Sequence, residues 1–188
     1  MKRLIVIIFA LFTSQLFAQI NPVFISPVKI GNMNLQSGKI FYQHSFAGNS
    51  NLSRLAERFK SKEQVYSVFN LNSVSADEIK GTITNFQLNI DQYGVKRKKL
   101  APYLIRSLNA TFKIVPVDGK NQVTVGSIWF NKLPGDKSMG GNRNLEVLCT
   151  SKNATVFLKD KKSQKSIAVI EKNLEELFST ATMPGNGF

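Results

Sequence analysis

The chain has 188 residues, a formal net charge of +13, one cysteine and one histidine. A single cysteine rules out an intrachain disulfide and a cysteine-rich zinc site, and a single histidine rules out a metal site built from two imidazoles. The length suits one domain around one core, and the basic surplus bears on partners and solubility, not on fold.

Met1-Lys2-Arg3 is followed by an apolar run over Leu4–Phe12 and then by Thr13-Ser14-Gln15-Leu16-Phe17-Ala18-Gln19. A basic start, a short apolar core and a small residue before the cut describe a secretory signal peptide over residues 1–18. The run is shorter than the roughly 20 residues of a membrane span, so the mature chain is expected to have no transmembrane segment. Cleavage near Ala18-Gln19 implies secretion to the periplasm or cell envelope. Losing Lys2 and Arg3 leaves the remainder strongly basic.

Residues 19–37 contain Pro22, Pro27 and Gly31 without a sustained apolar period. They read as an extended lead-in that drapes over the core or stays partly mobile. A single domain is expected over residues 38–180. Its first strand is Gly38–Phe46, with Ile40, Tyr42, His44 and Phe46 on one face. Asn51–Lys60 reads as a helix: Asn51 or Ser53 can cap it, and Leu52, Leu55, Ala56 and Phe59 recur at helical spacing. After a short apolar stretch, Asn72–Asp77 reads as a turn. Glu78–Ile90 is a strand region whose apolar parity switches near Asn85, which implies a β-bulge or two strands.

The run Lys96-Arg97-Lys98-Lys99 is the densest cluster of charge. A loop carrying four cations would attract lipid phosphates or acidic glycans in a salt-sensitive way; the plainer alternative is a solvated loop tip. Leu100–Leu108 is compatible with a short helix, since Pro102 suits a first turn, and equally with a strand.

Asn109–Phe130 is the clearest segment. Ala110, Phe112 and Ile114 alternate with Thr111, Lys113 and Val115, and Asp118-Gly119 is a strong two-residue hairpin signal. Pro116 removes a ladder donor and belongs near the turn or an edge. In the second arm the parity set by Val123 and Val125 changes at Gly126-Ser127 to Ile128 and Phe130, as a bulge would produce. Asn131–Asn144 reads as a long loop, Leu145–Leu158 as a short helix and a strand ending in Ala154–Leu158. Gln164–Ser179 is the strongest helix, with Ile167, Ile170, Leu174 and Leu177 down one side. Residues 181–188 read as a flexible tail. The order gives an α+β fold: an antiparallel sheet with helices packed on one face.

No motif signals catalysis. His44 lies mid-strand between aromatic positions, Cys149 sits beside Leu145, Val147 and Leu148 as a buried thiol would, and Glu171, Glu175, Glu176, Asp77 and Glu78 are explained by ion pairing and capping. Gly140-Gly141 lacks the strand and helix context of a phosphate loop. No catalytic, metal or cofactor site is expected; the residues singled out for anion binding are Lys96, Arg97, Lys98 and Lys99.

Several stretches together carry a resemblance: Phe17-Ala18-Gln19 closing the signal peptide, the opening Gly38-Lys39-Ile40-Phe41-Tyr42, the strand around Ile79–Thr84, Ala110-Thr111-Phe112-Lys113-Ile114, Asp118-Gly119-Lys120 and Val123-Thr124-Val125. Over about Gly38–Phe130 the chain resembles secreted proteins of Bacteroidetes-type bacteria with an uncharacterised domain of TATA-binding-protein-like fold. The resemblance implies that fold and no activity; fold alone does not carry function, and nucleic acid is not expected as a partner. The expectation is an exported, non-enzymatic binding or scaffolding domain whose partner is an anionic envelope component or another envelope protein. The competing reading is a hydrolase acting on an envelope glycan or peptide.

Overall fold

The computed structural model describes residues 28–47, 51–61, 68–132 and 141–182. Residues 1–27, over which a signal peptide and the start of the lead-in were expected, and residues 183–188 of the expected tail lie outside them. One antiparallel sheet runs through the described residues: β1 (Val28–Ile30), β2 (Met33–Gln36), β3 (Lys39–Ala47), β4 (Phe69–Val74), β5 (Ile79–Phe86), β6 (Leu108–Val117), β7 (Lys120–Phe130) and β8 (Arg143–Asn144). The strand order is β1-β2-β3-β7-β6-β5-β4, and β8 pairs with the far end of β7. Helices α1 (Leu52–Ser61), α2 (Leu145–Cys149) and α3 (Lys161–Thr182) complete the fold. They bury their apolar residues in the same cluster as one face of the sheet, so the architecture is the α+β one expected.

The β6–β7 hairpin lies at the centre of the sheet. Asp118 and Gly119 both have positive φ, 50° and 73°, which matches the right-handed twist of the flanking strands. Ser37 and Gly38 repeat that turn, at 50° and 73°, between β2 and β3. Both expected bulges are present. In β5 the register shifts between Ile83 and Phe86, with Asn85 at φ 54°. In β7 the left-handed residue is Ser127, φ 48°, and not the neighbouring Gly126. Pro116 pairs with Asn121 one step from the turn.

Four phenylalanines join the layers. Phe59 of α1, Phe69 of β4, Phe112 of β6 and Phe178 of α3 are buried, with ring centroids 4.8 Å (Phe59–Phe69), 5.4 Å (Phe69–Phe112), 5.3 Å (Phe69–Phe178) and 5.5 Å (Phe112–Phe178) apart. Burial of each such ring contributes about 1.5–3 kcal/mol, and edge-on pairs about 0.5–1.5 kcal/mol more. On α3, Ile167, Ile170, Leu174 and Phe178 are fully buried, whereas Leu177 is only half-buried. At 100° per residue Phe178, not Leu177, continues the line from Ile167.

Other differences from the sequence reading have local causes. The lead-in contributes β1 and β2, a hairpin in the same sheet; two turns close together leave strands too short for a period to register. Asn72–Val74 continues β4, so the turn is confined to Ser75–Glu78, where the Ser75 amide donates to the Glu78 carbonyl at 2.9 Å. Pro102–Ile105 forms a 3-10 turn before β6 begins at Leu108. Arg143–Asn144, read as the end of a loop, pairs with Phe130 and Trp129; residues 133–140 of that loop are outside the described set. Ala154–Leu158 supplies one bridge, Thr150 to Phe157, and no strand. α3 starts at Lys161 because the Asp160 carboxylate accepts from the amides of Lys162 (3.0 Å) and Ser163 (2.8 Å). Asn51 caps α1 by accepting from the Arg54 amide at 3.0 Å.

Candidate functional site: the open sheet face

Side-chain alternation sends the odd and even positions of each strand to opposite faces. One face packs against the helices. No described helix packs on the other, which carries Phe41, Gln43, Ser45, Thr82, Thr111, Gln122, Thr124 and Trp129, all half-buried or exposed. The charges on this sheet are one-sided. None of the described strands contains an aspartate or glutamate. The strand lysines are Lys29, Lys39, Lys80, Lys113 and Lys120; all are exposed, and all alternate with residues of the buried face, so all belong to the open one. Glu78, just before β5, forms an ion pair with Lys80.

A shallow groove of about 390 Å³ crosses this face over β4, β5, β6 and β7. Asn72, Ser73, Lys80, Thr111, Lys113 and Thr124 line it. Lys80 and Lys113 are directly opposed across the β5–β6 ladder, and Lys113 is opposed in turn to Thr124. The Thr111 hydroxyl donates to the Gly126 carbonyl at 3.1 Å.

The cations singled out from the sequence lie elsewhere. Lys96–Lys99 form an exposed 3-10 turn between β5 and β6. Within it Arg97 is engaged: its Nε and Nη2 donate to Asp91 Oδ1 and Oδ2 at 3.0 Å and 2.5 Å. This fork holds the Asp91 carboxyl below its ordinary range. Lys96, Lys98 and Lys99 remain as exposed ammonium groups. The connection is tied to α3: the Asn89 amide donates to Asn173 Oδ1 at 2.8 Å, and the Tyr93 hydroxyl to Glu176 Oε2 at 2.8 Å. The basic turn is therefore anchored to the helix layer and not to the lysine-bearing sheet face. Sequence periodicity placed Lys113 on the outside of its strand, but nothing local revealed that Lys80 is its neighbour.

Of the residues weighed for chemistry, His44 and Cys149 are engaged in packing, and Glu171 and Glu176 in hydrogen bonds. His44 is half-buried, its ring 4.6 Å from Phe46 and 6.3 Å from Tyr42. Cys149 is fully buried, with Sγ 2.9 Å from the Tyr103 hydroxyl; burial pushes its thiol up to about 11. Glu171 accepts from the Asn32 amide and Glu176 from Tyr93 and Gln92. Among the described residues no group of three or more histidine, cysteine, aspartate or glutamate side chains is arranged to hold a metal. No described helix is long and apolar enough to cross a membrane.

No family model matches the chain, and no curated protein matches it. Two solved structures are similar. One is a TBP-like protein from Parabacteroides distasonis, 15% identical, with a TM-score of 0.47 over 78% of this chain and 94% of that one. The other is a DUF4468 family protein from Bacteroides ovatus, 11% identical, with a TM-score of 0.49 over 85% of this chain and 95% of that one. The α+β assignment rests on the strand order and helix placement described above.

Proposed function

We propose that this chain is an exported, non-enzymatic binding or scaffolding domain of the cell envelope, and that the open face of its sheet receives an anionic envelope component. One observation carries the reading: the described strands hold no carboxylate, and every lysine in them is exposed on that one face. Apolar residues fill the opposite face and secure the fold, so the lysine face is free to be selected for a partner. Charge complementarity then sets the partner's sign. The export part rests on the N-terminal sequence, where a basic start precedes a short apolar run and Ala18-Gln19. The hydrolase alternative lacks support because His44 and Cys149 are occupied in packing and Glu171 and Glu176 in hydrogen bonds to neighbouring elements.

Two measurements test the proposal. Cell fractionation with N-terminal sequencing is expected to find the chain in the envelope or periplasmic fraction, beginning near Gln19; an intact, intracellular chain would refute export. Cosedimentation with purified anionic envelope material is expected to show binding at low ionic strength that fades as salt rises. If no binding appears at low ionic strength, the binding reading fails.

A further inference from the structure

Lys80 and Lys113 face each other directly across neighbouring antiparallel strands. In such a pair the Cβ atoms lie about 5 Å apart, and like charges there are destabilising. Glu78 offsets the charge of Lys80 in part; Lys113 has no ion-pair partner among the described residues. Both ammonium groups flank the groove of about 390 Å³. Its neutral side-chain donors are the amide of Asn72 and the hydroxyls of Ser73 and Thr124, since the proton of Thr111 is committed to Gly126. Gly81, Phe112 and Gly126 also line it, the Phe112 ring packing in the core on the opposite face.

Resting on the reading above, we propose that this groove is a subsite for a phosphomonoester carried on a sugar. Two facing ammonium groups can each donate to a different oxygen of a phosphomonoester, which carries about −1.5 to −2 charges near neutral pH, Lys80 exchanging its ion pair with Glu78 for a phosphoryl oxygen. A dianion between the two ammonium groups also removes their mutual repulsion, so the bound state gains what the free protein lacks. The groove is larger than a phosphoryl group alone requires, and Gly126, where a Cβ would meet nothing within 4 Å, leaves open space for a sugar ring.

The test is an amide NMR titration of the intact protein with glucose 6-phosphate, with glucuronate as a monoanionic control and phosphatidic acid vesicles as the lipid alternative. Glucose 6-phosphate is expected to move the amides of Lys80, Gly81, Lys113 and Thr124 and to bind about tenfold more tightly than glucuronate. Loss of one charge-assisted contact in Lys80→Gln or Lys113→Gln is expected to weaken it about tenfold or more. Both positions are exposed, so both variants are expected to fold, and an unchanged thermal transition verifies it. Equal binding of glucuronate, undiminished binding by both variants, shifts confined to Lys96–Lys99, or binding to vesicles alone would each overturn the subsite. If the variants still cosediment with envelope material while the subsite fails, the broader binding reading survives; if wild type binds neither, both fall.

Discussion

The Glu171 carboxylate of α3 accepts a 2.7 Å hydrogen bond from the backbone N–H of Asn32, 139 residues earlier in the chain. This bond fastens the turn between β1 and β2 to the helix layer. Glycine at residue 31 suits the turn: its φ is +58°, and a Cβ there would displace the same carboxylate. Gly31→Ala is expected to cost about 1–3 kcal/mol, from left-handed strain and the displaced carboxylate together. Glu171→Ala, which removes one hydrogen bond to a charged acceptor, is expected to cost about 1–2 kcal/mol. Urea unfolding of both variants measures these losses, and the double variant should cost less than their sum because both act on one contact.

Three asparagines close a ring of amides at the bulged end of the sheet. Asn109 Oδ1 accepts from the Asn85 amide, Asn109 Nδ2 donates to Asn131 Oδ1, and Asn131 Nδ2 donates to Asn85 Oδ1, each at 3.0 Å. Asn109 is only 5% exposed. Asn109→Ala leaves partners unsatisfied and is expected to cost about 1–3 kcal/mol, read from thermal or urea unfolding.

At the Lys80–Lys113 pair, stability and binding should move in opposite directions. Lys113→Glu replaces a cross-strand repulsion with an attraction, so the fold is expected to gain about 0.2–1 kcal/mol. Differential scanning calorimetry should show a Tm at or slightly above wild type. A clear fall in Tm would mean that Lys113 has a structural task.

Burial makes the fold sensitive to alkali. The Cys149 thiol is pushed from 9.0 up to about 11, and the Tyr103 and Tyr42 hydroxyls are also raised, each chiefly by burial. Their unfolded forms ionise first, so the stability they contribute is complete below pH 9.0 and declines as pH rises through about 11. Tm should be flat from neutral pH to about 9 and fall above it. At pH 8 the native thiol should react slowly with a thiol reagent and rapidly in denaturant.

Reversing the charges of Lys96–Lys99 is expected to leave Tm nearly unchanged, because these side chains are exposed and the turn is held by its own backbone, with the Lys99 amide donating to the Lys96 carbonyl at 2.8 Å. Any part the turn plays in binding should come from Lys96, Lys98 and Lys99, since Arg97 is held by Asp91. Cosedimentation of this variant beside Lys80→Gln and Lys113→Gln shows which surface carries the affinity.

What could be seen in the sequence was short-ranged. Alternation in Ala110–Ile114, the Asp118-Gly119 turn, the parity breaks near Asn85 and Gly126, and the Asn51 cap are each set by steric and hydrogen-bonding preferences over a few residues, and each is present. The lead-in was misread because β1 and β2 are three and four residues long. Such strands carry little signal until a longer neighbour, β3, supplies the ladder.

By itself the sequence determined which faces of its clearest strands are apolar and that the chain reverses at Asp118-Gly119. Only the tertiary structure decided that β5 lies beside β6 in the register that sets Lys80 against Lys113, and that α3 reaches back to Asn32. Strand neighbours are chosen by how the whole set of apolar faces closes over one core, a condition that no window of a few residues contains.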